Sequence, residues 1–331
     1  MTNRHDIANP SNRSTRFVGA GLQIFEDVIE SNASPPPAPL FVPQPVIRLN
    51  YFRAVGSIPG TSTSFVNLCT ESARSSLTEF SRHFKVWLDL LRKLKIPISD
   101  VTIVLSAERW RGGPFAGPCV VVEVAGTEIG DAVFIDEGIG NTCSLLPISD
   151  FSFGLERLVW VVNTGLPYYA FIGALPDTAV PENERAIDRV RTATLMCAAG
   201  VRPSSSGHGR HLRQVLADGM AQHAGIDLAG GIAHAYRYWS HFFTPIRGLT
   251  ECRSILESEW TRARTIEVSR YVCPDTRVGF GDSIVSTDDI CRRLLATGAT
   301  IRGLAECARW IQGRFPEQSP DIPFKKPTDG D

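Results

Sequence analysis

The stretch Asp150 to Leu158, DFSFGLERL, brings together a carboxylate, a glycine and an arginine beside an apolar run. A partly buried, ionised carboxylate can hold an ammonium group. An arginine offers planar, paired hydrogen bonds to phosphate, and a glycine lets backbone approach a ligand where a Cβ would clash. Asp150, Gly154 and Arg157 could therefore hold an amino group and a polyphosphate in one pocket. Read for structure alone, the same string is the edge of a strand or helix with a solvated Glu-Arg pair, and Asp150 is a turn residue before a strand. A second arginine, Arg48, lies in QPVIRLNYFRAVG (Gln44 to Gly56), on an apparent strand that runs into a turn. Its structural alternative is an exposed strand arginine.

These residues need elements to position them. VPQPVIRL, SFVNLC, VTIVLSA, PCVVVEVAG and DAVFIDEG are short, β-branched and aromatic, and are separated by Gly, Pro and Ser, which predicts a largely antiparallel sheet. Between them, SSLTEFSRHFKVWLDLLRKLKI sets Phe80, Phe84, Trp87, Leu88, Leu90 and Leu91 at helical spacing, so an amphipathic helix should pack on that sheet. Its basic end, Arg92 to Lys95, has the sign that suits a helix C-terminus. The prolines of SNASPPPAPL favour an extended loop. Past residue 165 the patterns turn helical: PENERAIDRVRTATLMCAAG, HLRQVLADGMAQHAG, AHAYRYWSHFFTPI, TECRSILESEWTRARTIEVSRYV and TDDICRRLLATG. The expected class is α+β, a mainly antiparallel sheet flanked by helices and followed by a helical domain. The expected division is a disordered N-terminus (1–16), a sheet domain (17–165), a helical domain (166–318) and a tail (319–331).

With 331 residues the chain is long enough for two domains. Its 34 Lys and Arg against 35 Asp and Glu leave a net charge of -1, so any nucleic-acid surface must be a local patch. The eight cysteines are scattered, without a CxxC pair or a His at zinc-ligand spacing, and read as reduced, buried thiols with no metal site. The polar start MTNRHDIANPSNRST is unlike a signal peptide, and no apolar run is long enough for a membrane span. A soluble cytoplasmic protein with no membrane partner is the expectation. No glycine-rich loop of the P-loop or dinucleotide type is present.

The two arginine segments, with GPFAGPC (Gly113 to Cys119), EIGDAVF (Glu128 to Phe134) and AAGVRPSSSGHGRHLRQ (Ala198 to Gln214), resemble in order and separation the catalytic and tRNA-recognition domains of alanyl-tRNA synthetase, a class II aminoacyl-tRNA synthetase. The resemblance implies ATP and Mg2+ as cofactors. It implies that Arg48, the motif 2 arginine, contacts the α-phosphate, and that Arg157, the motif 3 arginine, lies against the adenine and polyphosphate of a bent ATP. Both would be catalytic, with Gly154 beside them in ATP binding. Asp150 falls where the family holds the amino group of alanine. Gly117, Pro118 and Cys119, followed by Glu123, look like the second half of a GPCGPC-type loop. The Ile-Trp-Asn-x-Val-Phe strand reads Ile129-Gly130-Asp131-Ala132-Val133-Phe134, which makes Asp131 a second amino-acid-binding residue in an altered pocket wall.

The departures are specific. Where the family's motif 2 loop has Arg-His-His-Thr-Phe-Phe-Glu, Gly60 to Asn67 has none of the arginine, histidines or glutamate, so its ATP contacts should be lost or replaced. The segment carrying motif 1 and the editing domain have no counterpart, and VGAGLQIFEDV (Val18 to Val28) is the first match. The tRNA-recognition resemblance is close from Arg185 to Gln214. There the asparagines of the Pro-Ser-Asn-x-Asn-Arg-Gly turn become Ser205 and Gly207, and its arginine becomes His208. A basic helix becomes Arg213-Gln214-Val215-Leu216-Ala217-Asp218-Gly219. Fewer positive charges should weaken phosphate binding.

The leading expectation is a paralogue that activates alanine or another small amino acid as an aminoacyl-adenylate. Its acceptor would be tRNA, a carrier protein or a small-molecule amine. The alternative is a non-catalytic binding or regulatory protein that keeps the synthetase fold as a scaffold.

Overall fold

The computed structural model describes residues 7–8, 17–25, 36, 38–112, 115–137, 147–163, 165–172, 184–222 and 226–272. Six strands form one antiparallel sheet in the order β1-β2-β8-β7-β6-β3: β1 (Leu40–Ile47), β2 (Ser64–Ala73), β3 (Val101–Leu105), β6 (Cys119–Val124), β7 (Thr127–Ile135) and β8 (Ile148–Gly154). A separate antiparallel pair joins β4 (Trp110–Gly112) to β5 (Phe115–Gly117). The expected α+β class, with a helical C-terminal region, is what the chain adopts. DFSFG is a central strand with Asp150 inside it, and the chain turns directly from it into a helix, α2 (Leu155–Val162).

Strand alternation sorts the sheet into two chemistries. On one face, Leu68, Ala132, Phe151 and Phe153 meet the amphipathic helix α1 (Leu77–Lys93). Trp87 stacks on Phe153 with ring centroids 4.4 Å apart, and Phe80 lies 4.8 Å from Phe151. Ser76 starts the helix with a capping box: its hydroxyl accepts from the Glu79 backbone while the Glu79 carboxylate accepts from the Ser76 backbone. Burial of Trp87 and Leu91 contributes about 1.5–3 kcal/mol each. The opposite face is polar, because register brings Asn67, Cys69 and Glu71 of β2 against Gly154, Ser152 and Asp150 of β8, with Asp131 of β7 opposite Ser152.

Among the described residues after 165 the helices are α3 (Tyr168–Ile172), α4 (Glu184–Ala198), α5 (Gly207–Gln222), α6 (Leu228–Trp239) and α7 (Leu249–Val272). Leu195, Met196, Leu212, Leu216, Trp239 and Leu256 share their core. Helix α4 is buried from Ala186 to Ala198, although its sequence is not uniformly apolar. Several of its polar side chains reach partners in the sheet half. Asp188 accepts from the Thr63 backbone at 2.7 Å and from the Tyr169 hydroxyl at 3.0 Å. Arg189 donates to Asp188, Thr63 Oγ1, the Phe52 carbonyl and Asp218, and its guanidinium lies 3.5 Å over the Phe52 ring. Such groups tolerate burial because each is paired.

Of the segment expected to be disordered, Ile7 and Ala8 are described. Ile7 is buried against the helical core and its carbonyl accepts from the Val18 backbone. The TDDICRRLLATG helix, the tail and four of the eight cysteines lie outside the described residues. Cys69, Cys119, Cys197 and Cys252 are buried free thiols. No helix among the described residues is long and apolar enough to cross a membrane.

Candidate active site

The polar face opens into a cleft of about 570 Å³, counting its mouth, whose lining includes Arg48, Asn67, Asp131, Ser152, Gly154 and Arg157. Arg48 follows β1, where its backbone N–H donates to the Thr63 carbonyl at 2.8 Å. Its Nε donates to the Gly19 carbonyl at 2.8 Å, and its guanidinium lies 5.0 Å over Phe65. Among the described residues its terminal nitrogens have no hydrogen-bond partner, which leaves them open to an anion in the cleft. Arg157 leaves the first turn of α2. It donates to the Gly60 carbonyl at 3.0 Å and to the Glu128 carbonyl at 2.8 Å, with the Glu128 carboxylate 3.5 Å away. Gly60 has a φ of +70°, and a Cβ there would stand 2.6 Å from Trp160, so glycine is required at that support point.

Gly154 is different. A Cβ there would meet nothing nearer than 3.8 Å, so the chain's own packing does not demand glycine. Its lack of a side chain leaves room in the cleft beside Arg157.

Asp150 is buried on the same face, one layer below the cleft lining. Ser152 connects it to the cleft: the Ser152 hydroxyl donates to Asp150 Oδ1 at 3.0 Å and accepts from Asn67 Nδ2 at 3.2 Å. Directly opposite stands Glu71, wholly buried, with no hydrogen-bond donor at either carboxylate oxygen. Burial and the Asp150 charge push the Glu71 carboxyl well above the usual range. Burial also raises Asp150, partly offset by a hydrogen bond with the Glu71 carboxyl and then by Ser152 and Arg48. Asp131 is raised to about 7, first by burial and then by the Asp150 charge.

The cleft therefore gathers Arg48, Asp131, Gly154 and Arg157, with Asp150 behind Ser152. The other expected site residues lie elsewhere. Ser205 precedes α5; Gly207, at a φ of +56°, and His208 open it; and Arg213 pairs with Glu259 at 3.1 Å. The His208 ring meets Phe17 edge-on at 4.9 Å. None of these residues lines the cleft. Glu71, Asn67 and Ser152 were not expected in the site, although the period-two alternation of SFVNLCTESA puts Asn67, Cys69 and Glu71 on one face.

The residues present suit a nucleotide: a free guanidinium edge, an aromatic ring beside it and an unfilled glycine. Among the described residues no three His, Cys, Asp or Glu stand close enough to hold a metal ion. A Mg2+ accompanying ATP would thus take most of its ligands from phosphate and water, as Mg2+ commonly does.

No family model matches the chain. It is 34% identical over 156 residues to the alanine-tRNA ligase of Methanosarcina mazei, covering 43% of this chain and 17% of that protein. For the alanine-tRNA ligase of Pyrobaculum aerophilum the figures are 33% over 178 residues, 49% and 19%. For that of Methanothermobacter thermautotrophicus they are 32% over 214 residues, 61% and 23%. Among solved structures, pyrrolysyl-tRNA synthetase from Desulfitobacterium hafniense aligns with a TM-score of 0.35 at 14% identity, covering 48% of this chain and 55% of that one. The chain spans about a fifth of the length of the ligases it matches. Its sequence is similar to those of the alanine-tRNA ligases over about half of its own length.

Proposed function

We infer that the protein activates a small amino acid with ATP, forming an aminoacyl-adenylate in the sheet cleft. In this reaction an amino-acid carboxylate oxygen attacks the α-phosphorus of ATP, a new P–O bond forms, and the bond to the departing pyrophosphate breaks. Catalysis of such a step consists mainly of positioning and of offsetting charge on the phosphoryl group. Arg48 is suited to the α-phosphate because its terminal nitrogens are open to the cleft. Arg157 flanks the nucleotide, Gly154 leaves space for it, and Asp150 with Asp131 receives the ammonium side of the amino acid. The observation that carries the reading is the convergence of both arginines and Asp131 on one cleft, with Asp150 tied to it by Ser152.

The acceptor favoured here is a carrier protein or a small amine in the cytoplasm, ahead of tRNA. Arg189 and Arg191, which a surface patch would need, are sealed in internal ion pairs. Amino-acid-dependent exchange of labelled pyrophosphate into ATP tests the reading. Exchange that disappears in Arg48→Ala supports it, whereas ATP binding without exchange for any amino acid returns the protein to a non-catalytic scaffold role.

A further inference from the structure

The polar face holds more carboxyl groups than a simple amino acid requires. Glu71, Asp150 and Asp131 lie on three neighbouring strands, β2, β8 and β7, with Glu71 opposite Asp150 and Asp131 one diagonal from it. One carboxylate is enough for one α-ammonium. Glu71 is wholly buried with the Asp150 carboxyl in hydrogen-bonding reach, and among the described residues no ion pair reaches Asp131. Arg157 is engaged by Gly60 and Glu128, so Arg48 is the cation that offsets this group. Unpaired buried carboxylates are costly, and both groups meet that cost in the free protein by holding protons more tightly than usual.

A metal ion is not the missing cation. No three ligating side chains among the described residues are close enough. Diagonal neighbours on antiparallel strands stand about 7 Å apart, whereas a Mg2+ ion needs oxygens at about 2 Å. Two ammonium groups on one flexible molecule can span that separation, a second one toward Asp131 and the α-ammonium at Ser152, through which Asp150 reaches the cleft.

We propose that the cleft selects an amino acid whose short side chain ends in a second amino group. This rests on the adenylate-forming reading and names the class of amino acid within it. Asp131 is then the specificity-determining residue, and Glu71 the buried carboxyl that tunes Asp150 through the hydrogen bond between them.

Calorimetric titration of the full chain with L-2,4-diaminobutyrate, L-ornithine, L-lysine and L-alanine tests it. At least one diamino acid is expected to bind about tenfold or more tighter than alanine, the scale of one charge-assisted contact. Asp131→Asn should erase that margin, and Glu71→Gln, nearly isosteric, should narrow it if the first variant fails to fold. Alanine binding as tightly as every diamino acid, or an unchanged margin in Asp131→Asn, overturns the proposal. Should alanine-dependent pyrophosphate exchange persist in that case, the adenylate-forming reading survives alone. If no amino acid binds and none supports exchange, both readings fall.

Discussion

Arg191, on the central helix α4, donates to the carboxylate of Glu156 at the start of α2, and both side chains are sealed from solvent. Glu156 also accepts from the Val66 backbone at 2.9 Å and from the Tyr238 hydroxyl at 2.8 Å. One carboxylate therefore ties strand β2 and helices α4 and α6 to the helix that carries Arg157.

Removing one partner of such a pair leaves a buried charge without compensation, which costs about 3–5 kcal/mol. Arg191→Met and Glu156→Gln should each lower unfolding stability on that scale in urea titrations. The double variant should lose clearly less than the sum of the two. Single-variant losses below about 1 kcal/mol, a value typical of exposed pairs, would show that the pair does not hold the two halves together.

In the proposed site Arg48 and Arg157 would each offer ATP a charge-assisted contact. Arg48→Ala and Arg157→Ala should weaken ATP binding by about 1.5–3 kcal/mol each. Titration calorimetry is the check, and wild-type affinity in both variants removes the site. Arg157→Ala should also lower stability, because it abandons the Gly60 and Glu128 carbonyls.

Asp131 gives stability a pH dependence of definite sign. Its folded value, about 7, lies above the ordinary carboxylate range, so between about pH 4 and 7 the folded chain holds a proton that the unfolded chain has released. Its contribution is therefore largest in acid, declines as pH rises through that window and is flat above it. The groups facing it are Asp150 and Glu128, which raise its value, and Arg48, which lowers it. Asp131→Asn should flatten the decline between pH 5 and 7.5, measured as urea midpoints. An identical slope in the variant would assign the dependence to other groups.

Binding to total tRNA should be weak at near-physiological salt. Of the six arginines a patch would draw on, Arg189 and Arg191 are internal, Arg185 faces Asp218, Arg202 faces Glu251 and Arg213 faces Glu259, which leaves Arg210 exposed without an ion pair among the described residues. Phosphate affinity scales with the number of free cations. Micromolar binding with a steep salt slope in filter assays would reverse the preference against tRNA.

The sheet was legible because VTIVL, CVVVEV and EIGDAVF carry β-branched runs, and α1 because its apolar residues recur at helical spacing. DFSFGLERL was harder. Its strand and its helix abut at Gly154 with no loop between them, so neither period runs long enough to be recognised. Arg48, Asp131, Gly154 and Arg157 could be named from their motifs, but Glu71 could not. Its role depends on which residue of β8 lies opposite it, and pairing between strands nearly 80 residues apart is not written in local pattern. The burial of Arg189 and Arg191 was hidden for the same reason. Their partners Asp218 and Glu156 lie 29 and 35 residues away in the chain.

The contacts of Asp188 and Arg189 with Thr63 and Phe52 make helix α4 the jig on which the segment from Arg48 to Thr63 is set. A fragment ending at residue 165 would keep every arginine assigned to ATP and yet lose the template that shapes the loop around the first of them. Drift in α4, remote in sequence from any ligand, would then surface as a change in nucleotide handling. The helical half is then needed for the shape of the sheet half, since the loop after β1 is moulded on it.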